Sequence, residues 1–181
     1  MDAVKLEGGR ERAAIIKAIV AAGIPVMGHL GLTPQSVHKF GGWKTQGKSA
    51  EAALRLVEDA HILEKAGCYA LVLEAIPDRL AELISHRLEI PVIGIGAGVG
   101  CDGQVLVAHD MLGMFQRFTP VFVKKYADLN TQITNAVRGY INDVAARAFP
   151  APENSHPMDD TEFQELLDLL GSDLGKFQVA G

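Results

Sequence analysis

Four apolar segments recur along this chain at a near-constant interval, and that rhythm restricts the fold more than any other feature. They begin near Ala3, Pro25, Tyr69 and Pro91, at intervals of 22, 44 and 22 residues. Between them lie stretches with helical periodicity. Glu11–Ala22 sets Ile15, Ile16, Ile19 and Val20 on one stripe, and Gly23 ends it. Ser49 is placed to cap a helix running to Ala66, with Ala53, Val57, Ala60 and Leu63 inward and Gly67 as its stop. Asp78–Leu88 carries Leu80, Leu83, Ile84 and Leu88 on one side. A short strand over Gln104–Ala108 and a closing helix over Asn130–Arg147 complete the series. A repeating βα unit accounts for the spacing, with one unit enlarged by a long loop over Leu30–Lys48. Strands that are apolar almost throughout are buried on both faces, which implies a parallel sheet covered by helices. Two architectures satisfy this: an open doubly wound sheet, or an arc of a (β/α)₈ barrel. In both, chemistry gathers at the C-terminal ends of the strands.

Composition excludes several function classes. At 48% hydrophobic and 22% charged residues, the 181-residue chain is ordinary for a globular protein and too apolar to be disordered throughout. A net charge of −5 argues against nucleic acid as a partner. No apolar run reaches the length of a membrane span, and Met1–Glu7 lacks the pattern of a signal peptide. Cys68 and Cys101 stand far apart with no CxxC, so a reduced cytoplasmic setting is expected. The charge is uneven. Residues 150–181 hold seven acids and one base, a net of −6, behind a linker marked by Pro150, Pro152 and Pro157. The chain therefore reads as a βα domain over 1–149 and an acidic tail over 150–181. In the tail, Phe163, Leu166, Leu167 and Leu170 outline a short amphipathic helix, capped by Asp160 or Thr161 and ended by Gly171. It reads as an appendage, with a partner-binding helix as the alternative.

The strand ends carry the informative residues. The first exits at Lys5-Leu6-Glu7-Gly8-Gly9, where alternation places Lys5 and Glu7 on one face. The second strand, Pro25–Gly28, exits at Gly28-His29-Leu30-Gly31, the third at Leu73-Glu74-Ala75, and the fourth at Gly94-Ile95-Gly96-Ala97-Gly98. One lysine, two carboxylates and one imidazole thus converge on one rim. Lys5 and Glu7 also fit a plain surface ion pair, His29 a hydrogen-bonded core histidine, and Glu74 a solvated strand end. A functional carboxylate fits Glu74 better, because a charge set after Leu71-Val72-Leu73 is costly without a role. His38, His61, His86, His109 and His156 lack ligand spacing, Trp43 is expected to pack under the long loop, and Cys68 reads as a buried strand-start thiol. Gly98-Val99-Gly100-Cys101-Asp102-Gly103 matches GxGxxG in form, but β-prone residues follow it instead of a helix. A tight turn or close backbone approach to a substrate is the better reading.

Five ordered blocks of this chain resemble the 3-methyl-2-oxobutanoate hydroxymethyltransferase (ketopantoate hydroxymethyltransferase) family. They are Met1–Gly9, Gly28-His29-Leu30-Gly31-Leu32-Thr33-Pro34-Gln35, Gly41-Gly42-Trp43-Lys44-Thr45-Gln46-Gly47, Leu71-Val72-Leu73-Glu74, and Ile90–Gly98 with Cys101–Val107. The resemblance covers roughly residues 2–150 and does not extend to the tail. It implies a (β/α)₈ TIM barrel of the phosphoenolpyruvate/pyruvate type. The implied reaction is transfer of the one-carbon unit of 5,10-methylenetetrahydrofolate to 3-methyl-2-oxobutanoate, giving 2-dehydropantoate on the pantothenate pathway, with magnesium chelating the keto acid. On the same resemblance Glu74 is the proton acceptor, Lys5 contacts the substrate, Glu7 is the third acidic position around the metal, and His29 is a wall of the active site. Partners are then small molecules, with no nucleic acid and no membrane, and a homo-oligomer is expected.

The resemblance also implies an incomplete barrel. A full one takes about 250 residues, whereas five of the eight βα units are legible here. The chain begins inside what would be the fourth strand, and the family's other two metal positions are aspartates on the part before it. An N-terminally truncated copy of the enzyme is the expectation that follows. The alternatives are a non-catalytic remnant or oligomer partner of the full-length enzyme, and a phosphate-handling barrel isomerase using Gly94–Gly98.

Overall fold

The structure is a computed structural model and describes residues 2–35 and 44–171. Five strands form one sheet: β1 (Val4–Glu7), β2 (Val26–Gly31), β3 (Cys68–Glu74), β4 (Val92–Ile95) and β5 (Gly103–Gln104). Their order across the sheet is their order along the chain, and every neighbouring pair is parallel. This decides between the two candidate architectures. Parallel crossovers are right-handed, so steps that always advance in one direction lay all the helices on one face. A doubly wound sheet needs a reversal of strand order, and none occurs here. The sheet is a partial (β/α) barrel of about five units that does not close.

Among the described residues, three helices form the outer layer: α1 (Ala13–Ala21), which continues a 3₁₀ turn at Arg10–Arg12, α2 (Ala50–Lys65) and α3 (Asp78–Ser85). α2 touches both α1 and α3, as neighbours in one layer must. Ser49 caps α2 by accepting the Ala52 N–H at 3.2 Å, and Gly67 follows the helix at a φ of +100°. Between the layers lies the core. Val26 and Leu30 of β2, Leu71 and Leu73 of β3 and Val92 of β4 meet Ile16, Ala60, Leu63, Leu80 and Ile84 of the helices. Since strand residues alternate faces, Lys5, Glu7, His29, Val72, Glu74, Ile93 and Ile95 take the opposite side, the inner face of the arc.

Several boundaries differ from the sequence reading. β2 runs to Gly31, three residues beyond the expected strand Pro25–Gly28, because Leu30 fills the core and keeps the segment in the sheet. α3 stops at Ser85, and Leu83 lies 44% exposed because it points away from the core. Ile15 of α1 is likewise exposed. β5 has only two residues, and Gln104–Ala108 instead leads into the short α4 (Ala108–Met111). Cys68 is the first residue of β3 and is buried, and burial pushes its thiol pKa up. The glycine run makes a turn against α3. A Cβ at Gly98, whose φ is +78°, would collide with the Asp78 Cβ, and Gln104 Nε2 donates to the Gly98 carbonyl at 2.9 Å. The expectations for His38 and Trp43 fall outside the described residues.

A second compact unit begins at Asn130. It contains α5 (Leu129–Ala145) and α6 (Asp160–Leu170). Tyr140 meets Phe149 edge-on, with ring centroids 5.6 Å apart. The tail helix forms as expected, but its cap is Asp159, which accepts the N–H groups of Thr161 and Glu162. Gly171 ends it at a φ of +58°. Among the described residues, no helix is long and apolar enough to cross a membrane.

Candidate active site

Register gathers the rim residues. Glu7 of β1 lies opposite His29 of β2, and Gly31 of β2 lies opposite Glu74 of β3. Lys5 is two residues before Glu7 and Glu74 two residues beyond the partner of His29, so all four side chains share the inner face. Lys5 Nζ sits 2.9 Å from His29 Nδ1 and 3.8 Å from Glu7 Oε1. Glu7 Oε1 is 3.6 Å from His29 Nδ1. On the far edge of the ring, His29 Nε2 is 3.3 Å from Glu74 Oε2. His29 is thus the hub of the cluster, and Glu74 joins it through the imidazole.

Burial grades these groups. The His29 side chain is 1% exposed and the Glu74 side chain 12%, while 45% of the Lys5 side chain faces outward. Lys5 is therefore reachable by a ligand on the inner face. Lys5 and Glu7 are more than a surface ion pair, since their partner is a buried imidazole. Glu74 is not a solvated strand end. An unpaired carboxylate at this depth would cost several kcal/mol, and the imidazole is the polar group that faces it.

The backbone around Glu74 is tightly tied. Its carbonyl accepts the Leu32 N–H at 2.8 Å. A Cβ at Gly31, whose φ is +91°, would collide with that carbonyl oxygen, so glycine is required there. The next residue, Ala75, has a φ of +48°, a left-handed conformation unusual for alanine. Its N–H donates to Ile95 and its carbonyl accepts from Gln46. Left-handed non-glycine residues cluster at functional sites. Sequence reading missed Ala75, since nothing in the sequence marks an alanine for positive φ. It also missed Gln35, whose N–H donates to Glu7 Oε2 at 3.0 Å. Beside Glu7 a cavity of about 600 Å³ opens toward Thr33, Arg12, Arg55 and Gln46.

The donor set does not fit a magnesium ion by itself. Among the described residues no three His, Cys, Asp or Glu side chains cluster to hold a metal. Glu7 already accepts a backbone N–H on one oxygen and faces the Lys5 ammonium with the other. Mg²⁺ prefers octahedral oxygen ligands, including one or two carboxylates free to bind it.

Comparison with known proteins gives the chain a family. A family model described as ketopantoate hydroxymethyltransferase matches residues 1–152. The 3-methyl-2-oxobutanoate hydroxymethyltransferase of Clostridium botulinum (strain Alaska E43 / Type E3) is 57% identical over 165 residues, 91% of this chain and 60% of that protein. Its namesake from Syntrophus aciditrophicus (strain SB) is 59% identical over 84% of this chain and 56% of its own length. That of Methylibium petroleiphilum (strain ATCC BAA-1232 / LMG 22953 / PM1) is 47% identical over 93% of this chain and 58% of its own. The chain spans about three fifths of the length of the curated relatives it matches. The match takes in all five strands and the rim they carry, and the chain belongs to the ketopantoate hydroxymethyltransferase family.

Proposed function

We propose that this rim deprotonates 3-methyl-2-oxobutanoate at C3, with Glu74 as the proton acceptor, in the transfer of a hydroxymethyl group from 5,10-methylenetetrahydrofolate. The observation that carries the reading is Glu74 itself, a nearly buried carboxylate at a strand end, faced by an imidazole and shared with Lys5 on the inner face. The C3 proton of a keto acid is a very weak acid, and a positioned carboxylate that removes it contributes about 10²–10⁴-fold. Lys5 offsets the charge of the keto acid and of the enolate that forms. The enolate C3 then bonds to the methylene carbon of the folate. That carbon loses both bonds to nitrogen and takes the hydroxyl of one water. The C3 proton and the remaining water proton replace it on the two nitrogens, leaving 2-dehydropantoate and tetrahydrofolate. The protein's part in that step is to hold the two reactants in line. Glu7 takes the family's metal position. Since the residues of this chain do not make a magnesium site unaided, no step here depends on one.

Exchange of the C3 hydrogen in D₂O, followed by proton NMR, tests the reading without folate. Exchange by the intact chain, reduced about 10²–10⁴-fold in Glu74→Gln, is the expected result. Equal exchange by the variant overturns the role of Glu74. No exchange by the folded chain, with or without magnesium, overturns the catalytic reading.

The open sheet favours a second reading, a non-catalytic member that docks on full-length relatives and gains stability by mass action. Co-elution with a full-length family enzyme supports it, and independent elution at all ratios removes it. Either reading suits a cytoplasmic setting.

A further inference from the structure

The His29 ring is fully buried, yet its two nitrogens have unlike surroundings. Nδ1 is 2.9 Å from Lys5 Nζ and 3.6 Å from Glu7 Oε1. Nε2 is sealed from solvent without a well-aligned hydrogen bond, and Glu74 Oε2 stands 3.3 Å away. An ammonium has three donors and no acceptor. Lys5 therefore donates to Nδ1, and Nδ1 must offer its lone pair. Whenever the ring is neutral its one proton then sits on Nε2, on the edge that faces Glu74. A buried N–H without a partner is costly, so the nearest acceptor is where it must be satisfied.

We propose that His29 is the positioning residue for Glu74: Lys5 fixes the imidazole as its Nε2–H tautomer, and that N–H holds one carboxylate oxygen of Glu74 and leaves the other to face the substrate. The inference rests on Glu74 being the proton acceptor. It adds what sets the orientation of that group, and it gives Lys5 a second task besides meeting the substrate. The line Lys5, His29, Glu74 crosses three adjacent strands, with Lys5 Nζ 2.9 Å from Nδ1 and Glu74 Oε2 3.3 Å from Nε2. Its geometry is fixed by the β1–β2–β3 register and not by loops. A donor placed in this way acts by orienting the working group, as the third member of a catalytic triad does.

Two measurements test it. The first is ¹⁵N NMR of the imidazole in the intact chain at about pH 8.5, where an ordinary histidine is neutral. A protonated Nε2 and bare Nδ1, with the Nε2 signal moving in Glu74→Gln, is the expected result. A proton on Nδ1, or an Nε2 signal indifferent to Glu74→Gln, overturns the proposal. This readout needs no activity, so it stands even if the deprotonation reading fails. The second is C3 hydrogen exchange in two variants. A glutamine amide nitrogen reaches the position of Nε2, whereas an asparagine amide reaches only that of Nδ1. His29→Gln is expected to keep kcat within about tenfold. His29→Asn is expected to lose on the order of 10²-fold in kcat with little change in KM. Equal losses in both variants mean that the ring only fills space, and overturn the proposal. If neither variant folds, the NMR measurement on the unaltered chain decides.

Discussion

Ala75 shows how far a single residue is committed to this rim. Its positive φ turns the chain sharply after Glu74, while its N–H is held by Ile95 and its carbonyl by Gln46. An alanine in the left-handed region gives up about 1–2 kcal/mol relative to its usual backbone. Ala75→Gly removes that strain and adds back about 0.4–1 kcal/mol of unfolded-chain entropy. Urea unfolding should therefore show anything from no change to about 1.6 kcal/mol of stabilisation. At an ordinary φ the same substitution costs about 0.5–1 kcal/mol in a helix or strand. A loss of about 0.5–1 kcal/mol or more would mean that the backbone here is not strained. At this scale the sequence was informative about side chains and silent about backbone. Period-2 alternation was enough to place Lys5 and Glu7 together, and the apolar run before Glu74 was enough to single it out. The place of His29 on the rim was legible from the strand ends, but the continuation of β2 to Gly31 was not. That continuation is decided by Leu30 packing into a core built from distant helices.

At the scale of elements, the start of β4 is held by a residue that follows the sheet-end loop. Asp102 Oδ2 accepts the Val92 N–H at 2.8 Å and the Ser85 hydroxyl at 3.2 Å, so one carboxylate ties α3 and the loop to β4. Val92 is fully buried and Ser85 nearly so. Asp102→Ala leaves both donors without this acceptor, and a buried donor left unpaired costs about 1–3 kcal/mol. Thermal unfolding should show the loss, with Asp102→Asn milder because its amide oxygen can still accept. An alanine variant as stable as the parent would mean that water or a shifted strand replaces the carboxylate. The sequence pattern found the long helix α2, where Ser49, Gly67 and the 3.6-residue period all agree. It overextended α3 and β5: Asp102 holds Ser85, the last residue of α3, and the Gln104 side chain turns back to the Gly98 carbonyl. Local periodicity has no access to such contacts.

The architecture of the βα unit follows from a rule about chirality. The sequence spacing alone allowed a doubly wound sheet. Sequential strand order, joined by right-handed crossovers, leaves only the arc of a barrel. Such an arc has two edge strands, β1 and β5, and the longer is β1, which among the described residues pairs with β2 alone. The N–H groups of Val4 and Gly8 turn toward β2, where they donate to Pro25 and His29. By alternation, those of Lys5 and Glu7 turn outward, along an edge that no strand among the described residues covers. An unpaired edge invites a second strand, whether from another copy or from a longer relative. The chain should therefore self-associate, and sedimentation velocity over a hundredfold concentration range should show a rising average mass. Hydrogen exchange distinguishes this edge from any other contact. The amides of Lys5 and Glu7 should gain protection with concentration, whereas Val4 and Gly8, already bonded to β2, should gain little. A monomer at every concentration, or association without added protection at Lys5 and Glu7, would mean that the edge is not where copies meet. The residues of that edge are also residues of the rim. Covering it would brace the strand that carries Lys5 and Glu7, and through Lys5 the imidazole that faces Glu74.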